Sequence, residues 1–257
     1  MSIVLHHSIY GNTGQTLIVL HGLFGSLDNW KTQCQQLAEH FTVHALDLRN
    51  HGQSPHDAKM SYPSMAEDVL QYIKSQPLNQ VCLLGHSMGG KVAMELALTH
   101  PSTVSKLIVA DIAPKPYPPH HNEIFDALQR IDLATLKSRR EADEQLKNRI
   151  DSPEVRGFLV KSLYRQDNKQ FNWRFNLPVL IDQYAHLAAA PSHRGPFTGP
   201  TLFIKGGTSD YITQGDEKVI HQYFPAAQFK LIQNAGHWLH AEKPEVFTHI
   251  VRKFLLN

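Results

Sequence analysis

The chain has 257 residues, 42% of them hydrophobic and 19% charged, with a formal net charge of +2. That length suits one large domain carrying an insertion, and the composition is that of a globular protein in water. The near balance of charge gives no footing for nucleic acid, and no run of about 18 apolar residues marks a membrane span. Cys34 and Cys82 make no disulfide framework, and the N-terminal stretch lacks the basic start and long apolar run of a signal peptide. A cytoplasmic protein is expected. The 17 histidines lack metal-ligand spacing, so no metal or other cofactor is expected; His6-His7 and His120-His121 read as solvated pairs.

In chain order, residues 2–10 alternate loosely as an edge strand, and the apolar run 16–20 is a buried strand ending in a Gly-rich loop over residues 21–26. Asp28 is the expected N-cap of a helix reaching about residue 40, followed by a strand over 42–47, a polar loop and a helix over 63–75. The run Val81-Cys82-Leu83-Leu84, the turn Gly85-His86-Ser87-Met88-Gly89 and the Ala/Met/Leu-rich stretch to Leu98 read as strand, sharp turn and helix. Another buried strand over 106–111 ends in Asp111. Such alternation argues for a parallel, doubly wound sheet whose ligands sit at the carboxyl ends of its strands. A Pro-rich stretch over 114–119 breaks the pattern, and residues 122–190 read as helices with no strand: 123–136, 139–150, one opening at Ser152-Pro153, and 179–189. Strand signals resume at Thr201. Residues 1–113 and 197–257 are therefore the core, and 114–196 a helical cap over the elbow. A helix near 215–223, a strand over 229–232 and a helix over 244–255 complete the chain.

In a Gly-x-Ser-x-Gly turn between strand and helix, the serine sits on strained backbone with its hydroxyl above the sheet edge, which makes Ser87 the candidate nucleophile. A serine hydroxyl needs a base, and His237, in the loop after the final strand, can reach the same sheet edge. The imidazole in turn needs a buried carboxylate to set its tautomer. Asp111 and Asp210 both follow strands in the required order, and the residues leave both open. An oxyanion hole would use the amides of Met88 and Leu23. Phe24, His86 and Trp238 are placed at the substrate pocket, His21 and His86 also bracing loop backbone, with His240 a packing residue. Apolar cap positions Ile124, Phe125, Leu128, Phe158, Leu159, Leu163, Leu177 and Leu180 recur at helical spacing, and the cap is expected to move and to select the acyl group. Its Lys161, Arg165 and Arg174 could meet an anionic leaving group such as a CoA phosphate.

The elbow Gly-His-Ser-Met-Gly-Gly, the loop His-Gly-Leu-Phe-Gly-Ser, the loop Asp-Leu-Arg-Asn-His-Gly-Gln-Ser and the segment Gly-His-Trp-Leu-His-Ala-Glu-Lys-Pro together resemble the α/β-hydrolase superfamily. More narrowly they resemble YbfF-type esterases and related abhydrolase-domain proteins, over nearly the whole chain and least in the cap. The resemblance implies a mostly parallel central sheet flanked by helices, with Ser87 as nucleophile, His237 as base and Asp111 as acid. Many other members carry the acid in a Gly-x-x-Asp turn, which Gly207-Thr208-Ser209-Asp210 matches, so Asp210 stays the alternative. The implied activity is hydrolysis of a small-molecule carboxylic ester or thioester. Perhydrolase, haloperoxidase-like and C–C bond hydrolase chemistry share the triad, and a non-catalytic ligand receptor on this fold is the rival from another class.

Overall fold

The computed structural model describes residues 2–192 and 195–257. Seven strands make its central sheet: β1 (His7–Tyr10), β2 (Thr16–Leu20), β3 (Thr42–Leu46), β4 (Val81–His86), β5 (Val104–Ala110), β8 (Thr201–Gly206) and β9 (Ala227–Ile232). Their order across the sheet is β1-β3-β2-β4-β5-β8-β9. All neighbours are parallel except the edge pair β1 and β3. Parallel pairing joins strands through crossover helices, α1 (Lys31–Leu37), α2 (Tyr62–Ser75), α3 (Met88–Thr99) and α9 (Glu217–Tyr223), while the short α10 (Leu239–Glu242) and α11 (Pro244–Leu256) follow the last strand.

Side chains alternate across a pleated strand, and the central strands are apolar on both sides because both faces are covered. Ile18 and Leu20 of β2, Leu83 of β4 and Leu107 and Val109 of β5 join α2, α3 and the cap in one apolar cluster. Leu17, Val19, Cys82, Leu84, Ile108 and Ala110 point the other way, onto Trp30, Leu37, Phe247 and Val251. Burying each such Leu or Ile contributes roughly 1.5–3 kcal/mol.

Between β5 and β8, adjacent in the sheet, the chain leaves for the cap, of which His193 and Arg194 lie outside the described residues. The cap holds α4 (Asn122–Gln129), α5 (Arg139–Leu146), α6 (Pro153–Lys161), α7 (Leu177–Asp182) and α8 (Tyr184–Ala188). It also holds a hairpin, β6 (Leu163–Arg165) with β7 (Phe171–Trp173), where the sequence leads one to expect helix alone. Strands of three residues are too short for a period of two to register, and the clearer signal is the turn between them, where Lys169 takes φ 65°. The helix expected over 179–189 is two, broken at Gln183. Asp28 is not an N-cap: the chain enters α1 through a 3-10 turn, Leu27–Trp30, capped by Ser26, whose amide donates to Asn29 Oδ1 at 2.8 Å. Ser152 does cap α6, accepting from Val155 N at 3.2 Å. Polar ties hold cap to core: Tyr62 Oη donates to Leu187 O at 2.5 Å, Ser162 Oγ to Phe24 O at 2.8 Å and Asn176 N to Asn50 O at 2.9 Å. No helix among the described residues is long and apolar enough to cross a membrane.

Candidate active site

β4 ends at His86 and α3 begins at Met88, so Ser87 makes the turn between them, at φ 52° and ψ −118°. Such backbone costs about 1–3 kcal/mol and persists only where neighbours hold it. Here Ser87 N donates to Ala110 O at 3.0 Å, and Lys91 N donates to Ser87 O at 3.1 Å. The flanking glycines are required by close approach: a Cβ on Gly85 would lie 2.2 Å from Gly89 O, and one on Gly89 would lie 2.4 Å from Leu20 O.

Asp111, directly after β5, also has a positive φ, 52°, with its amide donating to Ile204 O at 2.8 Å. Its fully buried carboxylate accepts from Gly206 N at 3.0 Å on Oδ1; Oδ2 accepts from Ser209 Oγ and, at 2.8 Å, from His237 Nδ1. A carboxylate can only accept, so the His237 proton sits on Nδ1, and Nε2 turns its lone pair to Ser87 Oγ, 3.0 Å away. Asp210, by contrast, is exposed. The turn after β8 tucks Ser209 onto Asp111 and sends the next side chain outward.

Backbone and ring contacts fix the imidazole. His86 Nε2 donates to His237 O at 2.8 Å, and the Tyr211 ring stacks on the His237 ring at 3.7 Å and 14°. His21 and His51 brace the Gly-rich loop: His21 Nε2 accepts from Leu48 N at 3.0 Å, and His51 Nε2 accepts from Phe24 N at 3.2 Å. Leu23 N, between them, has no partner among the described residues. The Met88 amide opens α3 and has no intrahelical acceptor by position. His240 is buried and stacks on Trp30 at 4.2 Å, the packing role expected of it. Burial drives these rings neutral: His21 is pushed down to about 4 and His51 to about 3, while His86 is held well below the usual imidazole range by burial and then by His240 and His237. The positive charge that His237 gains on taking a proton therefore meets no second fixed imidazolium.

A cavity of about 140 Å³ opens over Ser87, and Leu23, Phe24, His86, His237 and Trp238 all line it. Of the apolar cap positions, Phe125, Leu128, Leu159, Leu163, Leu177 and Leu180 are buried. The two that stay partly exposed, Ile124 and Phe158, face this cavity. Met88 lines a smaller cavity that also reaches Ser87, with Leu23.

A family model described as the alpha/beta hydrolase fold matches residues 15–244. The chain belongs to the α/β-hydrolase fold family. The Escherichia coli protein named esterase YbfF is 36% identical, over 93% of this chain and 92% of that one. The Xenopus laevis sn-1-specific diacylglycerol lipase ABHD11 is 38% identical over 98% and 83%. A solved structure described as a marine microorganism esterase, 42% identical, superposes with a TM-score of 0.96 over 98% of this chain and 100% of that one.

In this α/β hydrolase several site residues leave little trace in the sequence. Ser209 and Tyr211 flank Asp210, and their only signal is a turn at the carboxyl end of a sheet strand. His120-His121 is not simply a solvated pair: His121 is partly buried against Tyr184 Oη at 2.6 Å, both histidines line the cavity, and burial pushes His121 down to about 3. Of the cap cations, Lys161 and Arg174 line an open groove at the cavity mouth with Trp238. Arg165 instead stacks on Phe171 at 4.3 Å and donates to Lys137 O at 2.8 Å.

Proposed function

We propose that this protein hydrolyses carboxylic esters through an acyl-Ser87 intermediate. The observation that carries the reading is the continuous chain from Ser87 Oγ to His237 Nε2, 3.0 Å, and from His237 Nδ1 to Asp111, 2.8 Å, at the floor of a cavity. His237 takes the Ser87 proton as Oγ attacks the ester carbonyl, and returns it to the departing alkoxide. Asp111 keeps the imidazole in the productive tautomer. The Leu23 and Met88 amides receive the oxyanion, favoured by the positive end of α3 behind Ser87. Water activated by the same histidine then cleaves the acyl-serine.

The relatives named esterase and lipase support ester substrates over the C–C and perhydrolase alternatives. Residues 114–196 act as the cap that excludes water and selects the substrate. Thioesters fit the same chemistry, but the groove that carries Lys161 and Arg174 also carries Asp28, Glu154 and Glu242, so its charge does not favour an anionic leaving group. The buried free thiols Cys34 and Cys82 are in keeping with a reducing cytoplasm. Ser87→Ala tests the reading: hydrolysis of 4-nitrophenyl butyrate should fall by about three orders of magnitude or more in a protein with unchanged melting behaviour. Retention of more than a few per cent of the activity contradicts it.

A further inference from the structure

Ser87 stands where two cavities meet. The larger contains His237 and Trp238 in its wall; the smaller, about 40 Å³, runs past Leu23 and Met88 beneath Tyr184, Leu187 and Ala188 of the cap and is not lined by His237. The leaving oxygen of an ester takes its proton from the base, so it must lie in the arm that His237 lines. The acyl chain is left with the smaller arm, which has room for roughly three waters or a chain of a few heavy atoms.

That arm is walled mostly by apolar and aromatic side chains, with one buried amine among them. Its wall includes Lys91, only 1% exposed, and no Asp or Glu side chain. Lys91 Nζ donates to Ala189 O at 2.5 Å and lies 4.7 Å from the Tyr117 ring centroid and 5.4 Å from that of Tyr62. It forms no ion pair with a described carboxylate. Glu95, one turn further along α3, accepts instead from Ser192 N at 2.5 Å. Lys115, also over Tyr117, is paired with Asp216 at 2.7 Å. An ammonium has three donors and a full charge, and burying it with one neutral acceptor and two ring faces leaves it under-compensated. Burial, and then the charge of Lys115, pull the group down to about 7. An anion entering this arm would supply the missing counter-charge and a second acceptor.

We propose that the smaller arm is a subsite for a carboxylate at the far end of a short acyl group, with Lys91 as its counter-ion, so that the preferred substrates are monoesters of short dicarboxylic acids. The proposal rests on the acyl-Ser87 reading and adds the acyl class to it. Lys91 follows Ser87 by four residues, one turn along α3, and both line this arm, whose volume of about 40 Å³ suits a succinyl-sized group. In the reaction Ser87 Oγ bonds to the ester carbonyl carbon, the bond to the alcohol oxygen breaks, and the serine proton leaves with the alcohol through His237. Water then releases the dicarboxylate, while Lys91 only holds the distal carboxylate.

The test compares benzyl monosuccinate with benzyl 4-methylpentanoate, which has the same leaving group and acyl shape without the charge. The wild-type protein should favour the succinate ester by about tenfold or more in kcat/KM. Lys91→Met should remove that preference, lowering kcat/KM for the succinate ester by about 30-fold while leaving the neutral ester within about threefold. A wild-type preference for the neutral ester overturns the subsite and leaves the acyl-Ser87 reading standing. Equal losses for both esters in Lys91→Met also overturn it, because Lys91 would then be acting on the fold. Hydrolysis of neither benzyl ester by a wild-type protein that still turns over 4-nitrophenyl butyrate overturns the subsite alone, whereas failure on 4-nitrophenyl butyrate as well overturns the acyl-Ser87 reading itself. The wild-type comparison needs no variant, so it decides the matter if Lys91→Met does not fold.

Discussion

Replacing Asp111 by Asn leaves the size of the side chain almost unchanged and alters which of its atoms can accept. In the wild type Oδ1 accepts from Gly206 N at 3.0 Å, and Oδ2 faces Ser209 Oγ and His237 Nδ1. The carboxamide in Asp111→Asn cannot place its NH₂ toward Gly206, because two donors would then face each other in a fully buried site. The NH₂ is forced toward His237, where Ser209 can turn its hydroxyl to accept but Nδ1 must give up its proton. The ring then carries hydrogen on Nε2 and donates to Ser87 instead of accepting from it. A base held in the wrong tautomer loses about 10⁴-fold in kcat, close to 5.4 kcal/mol of barrier. Steady-state hydrolysis of 4-nitrophenyl butyrate by Asp111→Asn and Asp210→Asn reads this directly. Asp210→Asn should stay within about threefold of wild type, because that side chain is exposed and outside the chain of hydrogen bonds. A larger loss in Asp210→Asn, or small losses in both, would refute the assignment of the acid.

Ser209→Ala removes one of the bonds on Asp111 and should lower kcat/KM about tenfold, with the pH profile of the reaction displaced; an unchanged profile and rate would make the contact irrelevant to catalysis. Phe158 packs by Trp238 at 5.7 Å on the large cavity, so Phe158→Ala should raise the ratio of kcat/KM for benzyl over methyl esters about fivefold, and an unchanged ratio would remove Phe158 from the roof. Acid should destabilise the fold through its neutral histidines. Their folded pKa values are depressed, so the unfolded chain binds more protons from about 6.5 down to about 4 for His21 and about 3 for His51, and stability present above that window is lost as pH falls through it. At pH 5, His21 and His51 each lose about 2 kcal/mol, together a drop in Tm on the order of 10 °C from pH 7. Calorimetric melts that give the same Tm at pH 7 and pH 5 would contradict this.

The parts of the site that are legible in the sequence are those whose chemistry forces a local pattern. Gly85 and Gly89 exist because backbone passes within 2.2 Å and 2.4 Å of where their side chains would begin, so the elbow announces Ser87 without a structure. Asp111 and His237 are visible as polar residues at the end of an apolar strand and after the last one, and both meet at the sheet edge where parallel crossovers deliver them. The choice between Asp111 and Asp210 is not legible from the residues, because it depends on which way a tight turn points its side chains. Ser209 reaches Asp111 across 98 positions of sequence and Lys91 reaches Ala189 across 98, and neither contact leaves a periodic trace. The cap hairpin is hidden for the opposite reason: Leu163–Arg165 and Phe171–Trp173 are local, but too short to distinguish from helix turns.

The central claim is that Ser87 is the residue that takes the acyl group. Treating the protein with a fluorophosphonate, with and without prior exposure to a slow ester, and mapping the adduct by peptide mass spectrometry tests it most directly. The account predicts one adduct per chain, on Ser87, blocked by the ester and absent in Ser87→Ala. Ester turnover that continues at the wild-type rate after full modification of Ser87, or an adduct on another residue that alone abolishes turnover, would contradict it.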